Sequence, residues 1–516
     1  MRILVQNLTR LGDLLQSQPA VAELAAAGHE IALVCLENFA PAARLLPEAG
    51  LVFPLPGSRL LAGLAEDWPG ALALLADFVD RVQREFRPEA VVNLTSAVAA
   101  RLLARRLCGD AVRGFGLDAL GFRLETSPWA VFLEASSSNR GLSPFNIVDL
   151  FRKAAGVGQG RGRFALTRPE AGAVEAALAR LRAEAPGAQG FVGLQLGASA
   201  AARQWPVAAF ARLGDWLWER RRLAPVLLGG PGETALAAAY RQAASALAVD
   251  AIGRTSLPEL AALLTATRLL VTNDTGTLHL AAGLDLPSVA LFFATAQPFD
   301  TGPYRAGCLC LEPDMPCHPC PFGRDCPHGH ACLEAIGAET VLAAVEDFLD
   351  TGDFPARPYP GARAWGSAFD LQGFMDLVSL SGHGAEPRAV WLRLQRQVLR
   401  QFLDGQEPTS TGTLPGTLPE AERAALLAEL DQASDLLHLL ANQAGLLARN
   451  AAMKSRFLAS WDRLRRLLLD SPHLAVLGHL WLRQAQDPGR DLPTLLGHVA
   501  RFAGCVTAFR RLLDRT

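Results

Sequence analysis

The chain has 516 residues, half of them hydrophobic and 19% charged, with a formal net charge of −2. That length exceeds one ordinary core and calls for about three domains. The near-balanced charge excludes an overall electrostatic pull toward nucleic acid.

Met1-Arg2 leads directly into the short apolar run Ile3–Val5, which reads as a strand. A secretory signal would have a longer apolar region ending at a small-residue cleavage site. No strongly apolar stretch reaches the length of a bilayer span. The expectation is therefore a cytoplasmic protein, with room for peripheral contact at the inner face of the cytoplasmic membrane. Residues 2–6, 31–36 and 90–94 are apolar runs separated by Ala/Leu-rich helical stretches. Strands alternating with helices predict a parallel sheet covered on both faces. The pattern restarts at Phe191–Gln195 and continues through Pro225–Leu228, Leu269–Thr272 and Ser288–Phe292, with helical patterns at Val207–Arg221 and Glu233–Leu247. Two consecutive α/β sets predict two Rossmann-like domains, 1–160 and 161–350, joined near 155–190, where Gly156, Gly158, Gly160 and Gly162 precede a helical pattern. Residues 351–385, rich in Pro, Gly and aromatics, read as an irregular connector. From Glu386 the repeat Val390, Leu394, Val398, Phe402 marks a helix. Asp404–Pro419 is a low-complexity loop, and 386–516 reads as an all-α extension.

Ligands of open α/β sheets sit at the carboxyl ends of the strands. Four motifs fall there. Gly12-Asp13 follows the first strand: the glycine permits close approach, and Asp13 near a helix start is either a reactive carboxylate or a cap. Arg203-Gln204-Trp205-Pro206 follows Gln195-Leu196-Gly197-Ala198-Ser199. Arg203 could clamp a diphosphate with its planar fork, or be a surface arginine beside a packing tryptophan. Asn273-Asp274-Thr275-Gly276-Thr277-Leu278-His279 follows a strand and opens an Ala-rich helix. Backbone N–H groups of Thr275 to Thr277 would form an anion site there, with hydroxyls from both threonines. His279 faces either ligand or core, and Asp274 is otherwise a cap. Gly229-Gly230-Pro231-Gly232-Glu233 lets a nucleotide approach the backbone; Glu233 would accept from ribose hydroxyls or simply answer the helix dipole.

Taken in order, these motifs resemble glycosyltransferase family 9, the heptosyltransferases of the lipopolysaccharide core. The likeness covers residues 1 to about 350 and rests on LGD at 11–13, RQWP at 203–206 and DTGTLHLAAGLDLP at 274–287, with Asn146-Ile147-Val148-Asp149 resembling the family's interdomain region. It implies a GT-B fold, two Rossmann-like domains across a cleft, and an inverting transfer from ADP-heptose. It also implies roles: Asp13 as the base on the acceptor hydroxyl, with Gly12 in the acceptor-side loop. Arg203, where the family usually has Lys, would lie on the donor diphosphate, Glu233 on the nucleoside, and Asp274, Thr275, Gly276, Thr277 and His279 in the donor loop. No catalytic metal is expected, because fixed cations and helix dipoles can stabilise a departing diphosphate.

Six of the nine cysteines lie between Cys308 and Cys332. Cys317-x2-Cys320-x5-Cys326-x5-Cys332 offers four soft ligands, suited to structural zinc or iron or to an iron–sulfur cluster, or else four reduced thiols. The branch that heptosylates autotransporter proteins has an iron-binding cysteine motif, and the likeness to it is partial. The leading expectation is thus heptose transfer to a lipopolysaccharide core acceptor. A protein acceptor, on a surface or flagellar component, is the second, and a catalytically silent nucleotide-sugar-binding scaffold the third. The helical tail leaves self-association open.

Overall fold

A computed structural model describes residues 1–138, 143–158, 160–409, 416–447, 451–484 and 491–515. The chain divides into two compact units: Met1–Arg123 with Phe145–Gly382, and Leu124–Pro144 with His383–Thr516.

The first unit holds two sheets. The first is built from β1 (Arg2–Gln6), β2 (Glu30–Leu36), β3 (Leu51–Leu55), β4 (Ala90–Asn93) and β5 (Val112–Leu117), in the order β3-β2-β1-β4-β5. All four pairings are parallel. Ile3, Leu4, Val5 and Ile31 to Val34 are buried, as strands covered on both faces require. The edge strand β3 contains Pro54, which cannot donate to a ladder and is tolerated only at such a margin. That proline is why no strand was expected there. A short strand β6 (Arg123–Glu125) marks where the chain passes into the other unit.

The second sheet comprises β7 (Gly190–Gln195), β8 (Leu223–Leu228), β9 (Val249–Asp250), β10 (Leu270–Asn273), β11 (Ser288–Leu291), β12 (Leu309–Pro313), β13 (Ala362–Phe369) and β14 (Met375–Ser379). Its order is β14-β13-β12-β11-β10-β7-β8-β9, parallel from β9 to β12 and antiparallel at β13 and β14. This corrects the expectation for residues 351–385. Instead of an irregular connector they form a hairpin that extends the sheet. The glycines and prolines of the segment lie mostly outside the two strands, and the turn is closed by Asp370, whose Oδ1 accepts from Gln372 N at 2.9 Å and Phe374 N at 3.0 Å. The inward residues Ala362 and Ala364 are too small to give an alternating signal.

The two lobes of this unit are fastened by a buried ionic cluster. Asn146 caps the helix Ile147–Ala154 by accepting from Val148 N at 3.0 Å, and donates to Gly302 O at 3.0 Å. Asp149 is fully buried: it accepts from Arg152 Nη1 at 2.9 Å, from the Tyr304 hydroxyl at 2.7 Å and from Met375 N at 2.9 Å. Arg152 also pairs with Glu23, on the helix Gln18–Ala26 of the first lobe. Burial pushes the Tyr304 hydroxyl well above its ordinary pKa, and the neighbouring Asp149 carboxylate pushes the same way. Burial pushes the Arg152 pKa down, but Tyr304 and then the Asp149 and Glu23 carboxylates outweigh it, so the pKa is raised. Charges taken out of water this way persist only while every partner is present.

The second unit is helical: Pro128–Ser138, Pro387–Leu403, Glu420–Leu447, Ala451–Asp470, Ala475–Gln484 and Leu492–Leu513. Val390, Leu394, Val398 and Phe402 form the buried stripe of the second of these. The all-α extension therefore also takes in residues 124–144, bound by Trp129 Nε1 donating to Asp404 Oδ1 at 2.8 Å and Arg396 Nη1 to Pro144 O at 2.9 Å. Their helix lies far back in the chain, among the α/β elements, so no composition shift marks it. The middle of the low-complexity loop, residues 410–415, lies outside the described residues. Leu492–Leu513 is long and apolar enough to cross a membrane by length and composition, which amends the expectation that no such stretch exists. Its Val499, Phe502, Val506 and Phe509 are buried while Arg501, Arg510 and Arg511 are exposed, the pattern of an amphipathic core helix.

Candidate functional site

The carboxyl ends of β7, β8 and β10 converge on one hydrogen-bonded turn. At its centre is Asn273, the fully buried last residue of β10. Its Oδ1 accepts from Trp205 N at 2.9 Å, and its Nδ2 donates to Leu196 O at 2.9 Å and Gly197 O at 3.2 Å. One amide thus ties β10 to the loop after β7 and to the entrance of the helix Val207–Arg221. Trp205 is itself buried, donating through Nε1 to Ile336 O at 2.8 Å, so it is a packing residue. Two positions earlier, Arg203 turns to the site. It pairs with Asp274 and donates from Nη1 to Ser199 Oγ at 3.1 Å. Asp274 also accepts from Thr301 Oγ1 at 3.4 Å.

Around that pair the backbone is kept open. Thr275 stands at the start of the helix Gly276–Gly283, which presents its N-terminal N–H groups. Thr277 Oγ1 donates to Gln195 Oε1 at 2.9 Å, so its hydroxyl secures the turn rather than pointing outward. Thr275 Oγ1 lies 3.4 Å from Thr272 Oγ1. Glu233 accepts from Gly230 N at 2.7 Å and from Gln195 Nε2 at 3.4 Å. Its carboxylate occupies the space a side chain on Gly197 would need, 1.4 Å from an ideal Cβ there. Arg203, Glu233, Asp274, Thr275, Gly276 and Thr277 are therefore gathered at one edge. Asn273, Gln195, Ser199 and Thr301 belong to the same network and were not singled out from sequence. An asparagine closing an apolar strand immediately before a small polar turn was the available signal.

Asp13 comes from the other lobe. It sits in the first turn of the helix Leu11–Gln16, half-buried, with Oδ2 accepting from Arg10 N at 3.4 Å. Asn7 braces this turn by donating from Nδ2 to Asp13 O at 3.1 Å and accepting from Thr9 N at 3.2 Å. The lobes meet beside it. An ideal Cβ on Gly12 would lie 2.7 Å from His279 Cδ2, and one on Gly276 would lie 3.0 Å from Leu11 Cδ2. Gly12 is thus needed for close approach rather than for an unusual φ. His279 is 5% exposed and packs at this junction.

The cysteine loop lies between β12 and the helix Ala338–Thr351. Burial raises the Cys320 thiol first, and the charges of Cys317, Cys332 and Cys326 raise it further; Cys332 is raised by burial and by Cys326 and Cys317. Cys317, Cys320, Cys326 and Cys332 all lie on this stretch of chain, Cys332 buried and the other three half-buried. Among the described residues no three of their sulfurs lie within 4.8 Å of one another, so the set is more open than a closed tetrahedral thiolate site.

The glycosyltransferase family 9 (heptosyltransferase) model matches residues 147–331, from the capped helix of the interlobe cluster to the cysteine loop. That part of the chain is similar to the family's domain. Lipopolysaccharide heptosyltransferase 1 of Pseudomonas aeruginosa is 26% identical over 325 residues, which is 62% of this chain and 86% of that one. Among solved structures, the family 9 glycosyl transferase of Veillonella parvula aligns with a TM-score of 0.55 at 20% identity, over 67% of this chain and 97% of its own. The E. coli ADP-heptose lipopolysaccharide heptosyltransferase II aligns at 0.50 and 19% identity, over 68% and 99%. These likenesses show a GT-B fold, with two lobes built on mainly parallel sheets, and the chain has a helical unit in addition.

Proposed function

We propose that this glycosyltransferase moves a heptose from ADP-heptose to a lipopolysaccharide core acceptor with inversion at the anomeric carbon. The single observation that carries the reading is the meeting of two strand-end turns beside Gly12 and His279: one bears the Asp13 carboxylate, the other a helix N-terminus with Arg203. The relatives named above supply the sugar and the acceptor class.

In this reading Asp13 takes the proton of the acceptor hydroxyl, whose oxygen attacks the anomeric carbon while the bond to the diphosphate breaks. The negative charge that develops on the leaving diphosphate falls on the N–H groups of Gly276 and Thr277 and on Arg203, which exchanges part of its Asp274 and Ser199 bonding for phosphate oxygens. Glu233, held over Gly197, accepts from the ribose hydroxyls. His279 holds the contact between lobes and is a positioning residue. Cys317, Cys320, Cys326 and Cys332 would hold a zinc or iron ion of purely structural role, closing slightly around it.

Incubation with ADP-heptose and a core acceptor, with ADP release and product linkage followed, tests the assignment. Release of ADP with a new heptosyl linkage is expected; the absence of ADP binding would overturn it. Elemental analysis of freshly purified protein should find about one equivalent of zinc or iron, and less than about half would remove the metal site. A protein acceptor is the second reading, favoured by the helical unit, because the solved relatives cover only 67–68% of this chain. Transfer to protein in a lysate, with none to core oligosaccharide, would select it.

A further inference from the structure

A cavity of about 650 Å³ opens in the first unit, between the interlobe segment 161–168, the carboxyl end of the helix Gly276–Gly283 and residues 304–306. That helix spans roughly 10 Å at 1.5 Å per residue, so the cavity lies about that far from the donor turn at its other end. Four arginines line it: Arg161, Arg163, Arg168 and Arg305. The acidic group on its wall is Asp285, which is already paired with Arg305 Nε at 2.8 Å. Three guanidinium charges are left over, all on exposed residues. Arg161 lies over the Phe369 ring, its guanidinium carbon 4.1 Å from the centroid, which holds the side chain against this wall.

The wall carrying these arginines is a built feature. Residues 161–166 alternate, Arg161 and Arg163 outward, Gly162 and Leu166 inward. Gly162 passes where a Cβ would meet the Tyr304 hydroxyl at 2.6 Å and the Arg152 guanidinium at 2.8 Å, so the buried ionic cluster sets the course of the segment. Leu166 N donates to Gly283 O at 2.9 Å and Thr167 N to Leu45 O at 2.8 Å, which fastens it at the far end. Three like charges held along one rigid wall repel one another, and an anion removes that cost.

We propose that this cavity binds a phosphorylated sugar. A phosphate monoester brings about −1.5 to −2 charge and three acceptor oxygens, which match two forked guanidiniums. The volume suits one or two sugar rings. A nucleobase is disfavoured because the aromatic faces are taken: Phe369 is covered by Arg161 and abutted by the Tyr304 edge at 5.2 Å, and Phe164 packs into the cluster around Val148 and Met375. The site is separate from the donor turn, and the inference does not rest on the transfer reading.

The test uses the full chain and glucose 1,6-bisphosphate as probe, with inorganic phosphate, glucose and ADP as comparisons, by calorimetry at low and physiological salt. The probe should bind more tightly than inorganic phosphate, weaken as salt rises, and leave ADP binding unaltered. The double variant Arg163→Ala/Arg168→Ala, at two exposed positions, should lose probe affinity by roughly tenfold or more and keep its ADP affinity. Equal probe binding by the double variant would overturn the proposal, as would inorganic phosphate matching the probe, or ADP displacing it. Loss of ADP binding in the parent chain would bear on the transferase reading alone.

Discussion

Two asparagines stand at the ends of two central strands, and they work differently. The side chain of Asn7, just past β1, bonds within its own turn, reaching no further than Asp13, six positions on. Asn273, at the end of β10, reaches Leu196 and Trp205, 77 and 68 positions back in the chain. The Asp13 turn is therefore braced locally by its side chains, while its backbone is anchored to the sheet through Asn7 N to Val34 O at 3.0 Å and Leu8 N to Thr95 Oγ1 at 2.8 Å. The side-chain bonds of the Asn273 turn form only when β7 and β10 are side by side, and its geometry is a property of the assembled sheet. Under the proposed function, a carboxylate braced within its own lobe can follow the movement of that lobe, while an anion cradle gains from rigidity.

The sharpest way to break this comparison is Asp13→Asn. Transfer should fall about a thousandfold, with ADP affinity unchanged by calorimetry, since among the described residues the side chain is held by one long bond, to Arg10 N. A joint loss of ADP binding would mean that the two turns act as one structure. Next in size is Arg152→Ala, which leaves Asp149 charged and buried between the lobes. Destabilisation of about 3–5 kcal/mol is expected in urea unfolding, and a change under 1 kcal/mol would show that the cluster does not fasten the unit. Asn273→Ala removes donors and acceptors from three separated segments and should cost about 2–3 kcal/mol, together with weaker ADP binding. Asn7→Ala should cost only about 1 kcal/mol and lower transfer without touching ADP affinity. Equal costs for the two asparagines would erase the distinction between a local and an assembled turn.

The strands that position these turns were largely legible, because fully buried parallel strands are short continuous apolar runs and β1, β2, β7, β10 and β11 are such runs. Others were not. Pro54 hid β3, and small alanines with a flanking Pro/Gly-rich context hid the β13–β14 hairpin. The motif residues were found at strand ends because the alternation of strands and helices fixes where ligands go in such sheets. Their partners were missed for a different reason: Gln195, Ser199 and Thr301 are ordinary polar residues until the fold places them around Asp274 and Glu233. The helix Pro128–Ser138 could not have been assigned to the helical unit, since its apolar face reads alike in either setting.

The sequence by itself determined the α/β alternation, the helical tail and the location of reactive side chains at strand ends, because each depends on periodicity and spacing within a few residues. Only the tertiary structure decided which distant groups share a charge, a hydrogen bond or a cavity: Arg203 with Asp274, Glu23 with Arg152, Arg305 with Arg161, Arg163 and Arg168. Those pairings join positions many tens of residues apart, and no local pattern records a distance that arises only when lobes pack.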